Sequence, residues 1–186
     1  RFVGYHHRIS IGVVGRAALR SDAVAETADA VAASVGMFDQ RGCVCPQVIY
    51  VEEAGEVTPS LFATVLAEAF RALEVRLPGG HLDVADSAAL HQLRGNAELR
   101  AGTGGGQVHH GGDGASWTVV YEAESVPGPA CIARSVRIRP LRDAAELGNE
   151  QLEIFGSHLQ TVGIAGLGDR TAVLVPGWGR LGVSRV

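Results

Sequence analysis

The sequence predicts an α/β fold of three layers, with a mostly parallel sheet held between helices. Short β-branched runs, Ile9-Ser10-Ile11-Gly12-Val13-Val14 and Val48-Ile49-Tyr50-Val51, alternate with alanine-rich runs whose apolar residues recur at helical spacing. The order strand, helix, strand, helix from Ile9 to Glu74 is the βαβ rhythm, whose right-handed crossovers set strands parallel and lay helices on the sheet faces.

Residues 9–14 read as a strand buried on at least one face, ended by Gly15. Ser21-Asp22 offers an N-cap pair for a helix over 23–35, with Val24, Ala28, Val31 and Val35 on one side and Glu26 and Asp29 on the other. Gly36 stops it and delivers Met37 and Phe38 as apolar anchors before a turn at Cys43; the strand 48–51 follows. Thr58-Pro59 opens a second helix reaching about Glu74, with Leu61, Val65, Leu66 and Phe70 on one face. Leu77-Pro78-Gly79-Gly80 breaks the chain, and 83–99 reads as a third helix carrying Leu90, Leu93 and Leu99, weakened near Gly95-Asn96. Residues 117–121 and 132–138 read as strands, the second closed by Pro140. Residues 143–147 suggest a helical turn, 159–164 a buried strand, 169–175 a short helix broken by Pro176, and 183–186 a last strand.

The glycine-rich run 101–115 could suggest a phosphate cradle. It lacks the Gly-x-Gly-x-x-Gly spacing and runs into a strand rather than a helix N-terminus, so no helix dipole would face a phosphate. A surface loop, or an insertion shaping a substrate entrance, is expected there.

At 186 residues the chain suits one domain with a sizeable core, and 46% apolar against 19% charged residues is a folding composition. The formal charge of −4 supplies no long-range pull on nucleic acid or on an anionic membrane surface. Every one of the 16 basic residues is arginine, so lysine Schiff-base chemistry is excluded within this chain. No apolar run approaches the roughly 20 residues needed to span a bilayer. Cys43, Cys45 and Cys131 are odd in number, and a Cys-x-Cys pair is poorly placed to bridge itself, so a reduced, cytoplasmic setting is expected. The same pair could open a zinc site, but no Cys-x-x-Cys or His-x-x-x-His partner accompanies it and no metal is expected. The chain begins at Arg1 without methionine, so it is expected to be a piece of a longer polypeptide.

The segment Phe38-Asp39-Gln40-Arg41-Gly42-Cys43-Val44-Cys45-Pro46-Gln47 links a helix to a strand through a cysteine between glycine and proline. Gly42 allows a tight or positive-φ backbone beside Cys43, and Pro46 disfavours helix at Cys45. A lone cysteine is commonly a small buried hydrophobe. Fixed on a loop at a strand edge, Cys43 suits a nucleophile. Cys45 reads as structural filler.

The pattern Asp39-Gln40-x-Gly42-Cys43-x-x-Pro46-Gln47, with an aliphatic strand ending in Val51, resembles the catalytic-cysteine segment of the acyl-CoA reductases of bacterial bioluminescence. These are members of the aldehyde dehydrogenase superfamily. Leu152-Glu153-Ile154-Phe155-Gly156 resembles the superfamily's Glu-Ile-Phe-Gly segment, departing from it at Ser157, where proline is usual. The resemblance implies an aldehyde dehydrogenase catalytic domain over 1–186, with Cys43 as nucleophile. It also implies Glu153 at the nicotinamide ribose, although a solvated carboxylate at a strand edge is the plainer account of that residue. It implies NADPH or NADH bound mainly by a cofactor domain upstream, an acyl-CoA or acyl-protein thioester substrate, reduction to an aldehyde, and homo-oligomerisation through regions outside the chain. Aldehyde oxidation on the same cysteine, and an inactive assembly fragment, are the alternatives. Arg137 and Arg139 alternate on one strand face, which is either simply exposed or a contact for an anionic CoA or cofactor phosphate.

Overall fold

The computed structural model describes residues 8–112, 117–124, 133–148 and 152–186. In chain order the main elements are β1 (Ile9–Val14), α1 (Val24–Gly36), β2 (Pro46–Glu52), α2 (Pro59–Arg76) and α3 (Val84–Gly102). They continue with β3 (Gly106–His110), β4 (Thr118–Glu122), β5 (Ser135–Leu141), β6 (Leu159–Ala165) and α4 (Arg170–Arg180). The strands form one six-stranded sheet in the order β3-β4-β5-β2-β1-β6. All neighbours are parallel except β3 against β4. Five strands therefore begin at one rim of the sheet, the amino rim, and end at the other.

Alternation along the strands divides the core in two. Val14, Ile49, Val51, Val119, Val136 and Ile138 face α1 and α2, meeting Ala28, Val35, Phe62, Leu66 and Phe70. Ile11, Val13, Val48, Tyr50 and Val162 face the opposite layer, which holds Leu147, Leu167 and Trp178. On this second face α3 covers β4, where Arg94 donates from Nε to the Thr118 hydroxyl at 2.9 Å. The predicted three-layer α/β architecture is the observed one.

Several details differ from expectation. In α2 the buried stripe runs through Phe62, Ala63, Leu66 and Phe70, and Leu61 is 51% exposed. Both phases have helical spacing; the stacking of Phe70 on Trp117, centroids 5.8 Å apart, favours the one that buries the larger rings. Leu99 likewise points outward, at 72% exposure, and α3 continues to Gly102. Ser21 does not cap α1; its N–H and hydroxyl both donate to Glu56. Pro140 lies inside β5, paired with Val51. Pairing of β4 with β5 ends at Ile138, so no rung is lost on that side. The helix expected to break at Pro176 runs through it to Arg180, anchored by buried Trp178, whose indole N–H donates to the Leu147 carbonyl at 3.1 Å. In place of a last strand, the chain end makes a single bridge from Arg185 to Thr161. Ile132, expected to start β5, lies outside the described residues.

The glycine-rich run is the largest correction. Its centre is β3, an antiparallel edge strand and not a loop. A Cβ on Gly106 would lie 2.2 Å from the Tyr121 carbonyl oxygen, so that residue's smallness lets β3 close on β4.

Candidate active site

Cys43 sits at the amino rim, in the turn that carries the chain from α1 into β2. The route is unusual. Phe38, Asp39 and Gln40 have φ of 52°, 51° and 61°, so three successive non-glycine residues occupy the left-handed region. Of the tight or positive-φ backbone expected at Gly42, the structure takes the tight turn without positive φ, and a Cβ there would lie 3.2 Å from the Phe38 ring. The Cys45 N–H then donates to the Gly42 carbonyl at 3.0 Å and closes the turn.

The two cysteines part company in this turn. Cys43 is exposed, whereas Cys45 is 2% exposed and donates from Sγ to the Met37 carbonyl at 3.0 Å. Burial pushes the Cys45 thiol up, away from the reactive thiolate. The Cys43 carbonyl accepts from the Ser10 hydroxyl of β1 at 2.5 Å, and among the described residues the Cys43 N–H donates to no protein acceptor. An exposed thiol beside an unspent backbone donor is what attack on a carbonyl and stabilisation of the oxyanion require.

Two side chains hold the turn from outside. Gln40 accepts from the Ser135 N–H at 2.9 Å and donates to the carbonyls of Ser135 at 2.6 Å and Pro46 at 3.0 Å. Asp39 Oδ1 receives Nε and Nη2 of Arg134 at 2.8 and 2.5 Å, and its Oδ2 receives the Gly80 N–H at 3.2 Å. Arg134 is buried and also donates from Nη1 to the Leu77 carbonyl, at the end of α2. Ala133 and Arg134 are themselves left-handed, with φ of 54° and 55°. The Gln40 and Asp39 contacts were not foreseen; Ser135 and Arg134, their partners on the β5 side, each lie 95 residues away in sequence.

Glu153 opens the short 3-10 segment Glu153–His158, which leads directly into β6. The β1 strand lies between β2 and β6, with Ser10 beside Pro46 and Ile9 beside Leu159. The backbone at Glu153 therefore shares the amino rim with Cys43. A nicotinamide cofactor would find that rim on this chain, but no phosphate cradle among the described residues. The centre of the glycine run is the strand β3, and α1 and α2 run toward this rim with their C-terminal, partially negative ends.

Arg137 and Arg139 are neither exposed nor at the rim. They are buried on the second face, where Arg137 Nη1 pairs with Glu122 Oε1 and Arg139 Nε reaches Glu122 Oε2 at 2.9 Å. A cavity of about 20 Å³ beside them, lined by Asn96, Arg100, Glu122 and Arg137 among others, has room for a water and not for a substrate. At the opposite rim Glu52, at 0% exposure, accepts from the N–H groups of Arg16 and Ala144 at 2.7 and 2.8 Å and from Arg170 at 2.5 and 2.9 Å. Burial opposes its charge, and these donors outweigh burial and hold its carboxyl at about 2. Among the described residues no group of three or more His, Cys, Asp or Glu side chains could hold a metal, and no helix is long and apolar enough to cross a membrane.

This topology is shared with aldehyde dehydrogenases. An NAD-dependent aldehyde dehydrogenase from Burkholderia multivorans superposes with a TM-score of 0.66 at 15% identity, over 96% of this chain and 35% of that one. KauB, an aldehyde dehydrogenase from Pseudomonas aeruginosa, gives 0.62 at 14%, over 97% and 37%. An NADP-dependent glyceraldehyde-3-phosphate dehydrogenase from Bacillus halodurans, complexed with NADP, gives 0.59 at 15%, over 95% and 37%. The chain thus spans little more than a third of the length of these neighbours. No curated protein matches it. The sheet and its flanking helices define an aldehyde dehydrogenase-type α/β fold. Residues 1–186 match the family Acyl-CoA reductase (LuxC) throughout, and the chain belongs to that family.

Proposed function

We propose that this chain is the cysteine-bearing catalytic domain of an acyl-CoA reductase that makes an aldehyde through a thioester on Cys43. The observation that carries the proposal is the exposed thiol at the amino rim of a chain in the acyl-CoA reductase family. The Cys43 thiolate attacks the acyl carbonyl carbon, the carbon–sulfur bond to CoA breaks, and CoA leaves as the thiolate. The Cys43 N–H steadies the oxyanion during attack. NADPH, held mainly by a domain outside this chain, supplies the hydride that reduces the bound acyl group. Collapse of the resulting hemithioacetal then releases the aldehyde and restores Cys43. Glu153, at the same rim, is assigned to the ribose of that cofactor.

The test is acyl transfer in the full-length enzyme. Labelled acyl-CoA is expected to modify the parent protein and Cys45→Ala, and to leave Cys43→Ala unlabelled. Label retained by Cys43→Ala would end the proposal. Aldehyde oxidation by the same cysteine is a second reading, favoured by the aldehyde dehydrogenase neighbours. Supplying free aldehyde with oxidised cofactor distinguishes it by the absorbance of reduced nicotinamide.

A further inference from the structure

The β2–β5 ladder leaves a gap at Pro46, three residues past Cys43. Its first pair in register is Val48 with Arg137, and carrying the register two residues toward the amino rim sets Pro46 beside Ser135. Pro46 has no N–H, so this rung cannot be completed by backbone alone. The Gln40 carboxamide occupies the gap. Its oxygen takes the Ser135 N–H at 2.9 Å, and its nitrogen gives to the Ser135 and Pro46 carbonyls at 2.6 and 3.0 Å. One side chain thus fastens the left-handed turn of residues 38–40 to the first residues of two strands.

Asp39 fastens the same turn to Arg134, which in turn holds the Leu77 carbonyl at the end of α2. Ser10 holds the Cys43 carbonyl from the third side. Three consecutive residues in the left-handed region persist only where their surroundings over-determine them, and these contacts are the surroundings. None touches the Cys43 sulfur; all of them fix the backbone from which it projects.

We infer that Gln40, seconded by the Asp39–Arg134 ion pair, is a positioning residue for Cys43, aiming the thiolate at the bound acyl carbon without altering how readily the thiol reacts. The inference rests on the thioester reading of Cys43. Misaiming a reacting group by about 1 Å can cost on the order of 100-fold in rate.

The experiment compares full-length parent, Gln40→Ala and Gln40→Glu in single-turnover acylation by acyl-CoA, in alkylation of Cys43 by iodoacetamide, and in thermal unfolding. Gln40→Ala should acylate about 10- to 100-fold more slowly at saturating acyl-CoA, with alkylation within about threefold of the parent. Gln40→Glu preserves size but sets a carboxylate against two carbonyls. Its acylation rate relative to the parent should be low at pH 8 and rise as the pH falls and the carboxyl gains a proton to donate. Parental acylation by Gln40→Ala, or equal loss of acylation and alkylation, overturns the positioning role. If Gln40→Ala does not fold, Asp39→Asn is measured in the same way and should lose acylation several-fold with alkylation unchanged; parental acylation by it overturns the role equally. Cys43→Ala separates the two levels. If it takes up acyl label, the thioester reading and the positioning role both fall; if it stays unlabelled while Gln40→Ala acylates normally, the positioning role falls alone.

Discussion

Cys43 and Cys45 stand two residues apart in one turn, yet one is exposed and the other is sealed under Met37 and Gly42. Glu52 is a third residue whose environment decides its chemistry. Its folded pKa of about 2 lies below the ordinary 4.5, so its stabilising contribution is present above about pH 4.5 and is lost as the pH falls toward 2. The span corresponds to about 3 kcal/mol. Glu52→Gln should lower stability by ~3 kcal/mol at neutral pH and flatten the acid limb between pH 4.5 and 2, measured by denaturant unfolding across that range. A limb as steep in Glu52→Gln as in the parent would assign the acid sensitivity to other groups. At this scale the turn that exposes Cys43 was legible because glycine and proline announce it locally. Gln40, Asp39 and Glu52 were not, since each is defined by partners on other strands and helices. Arg137 and Arg139 misled for the same reason: alternation gives the face a residue shares, not what covers it.

Elements with local signals came through best. Ile9–Val14 matches expectation in full, and Thr58 with Pro59 opens α2 as read, the Thr58 hydroxyl accepting from the Leu61 N–H. What local signals do not carry is helix phase where two apolar stripes compete, and strand pairing where glycines dominate. Composition marks β3 as a loop, and only its antiparallel partner makes it a strand. Gly106→Val should therefore push the strand off Tyr121, costing about 1–3 kcal/mol. Hydrogen exchange should report it as lost protection at the amides of β3 and β4; unchanged protection there would mean the edge pairs without needing that close approach.

The whole molecule is polarised. One rim carries Cys43, the Glu153 backbone and the Gln40 and Asp39 anchors, and the other carries the Glu52–Arg170 cluster. Open α/β sheets usually take ligands where their strands end; here the candidate chemistry gathers where they begin. The connections that leave the strand ends, such as Gly15–Leu19 after β1, lie a full strand length from the thiol. Lengthening the 53–58 connection by a few glycine and serine residues should leave acylation within about twofold of the parent. The same insertion between Gln40 and Gly42 should abolish it, and equal tolerance at both places would contradict the polarity. A protein carrying this domain can accordingly remodel its far side for new neighbours while the Cys43 turn stays in register, because the tolerant connections and that turn occupy opposite poles.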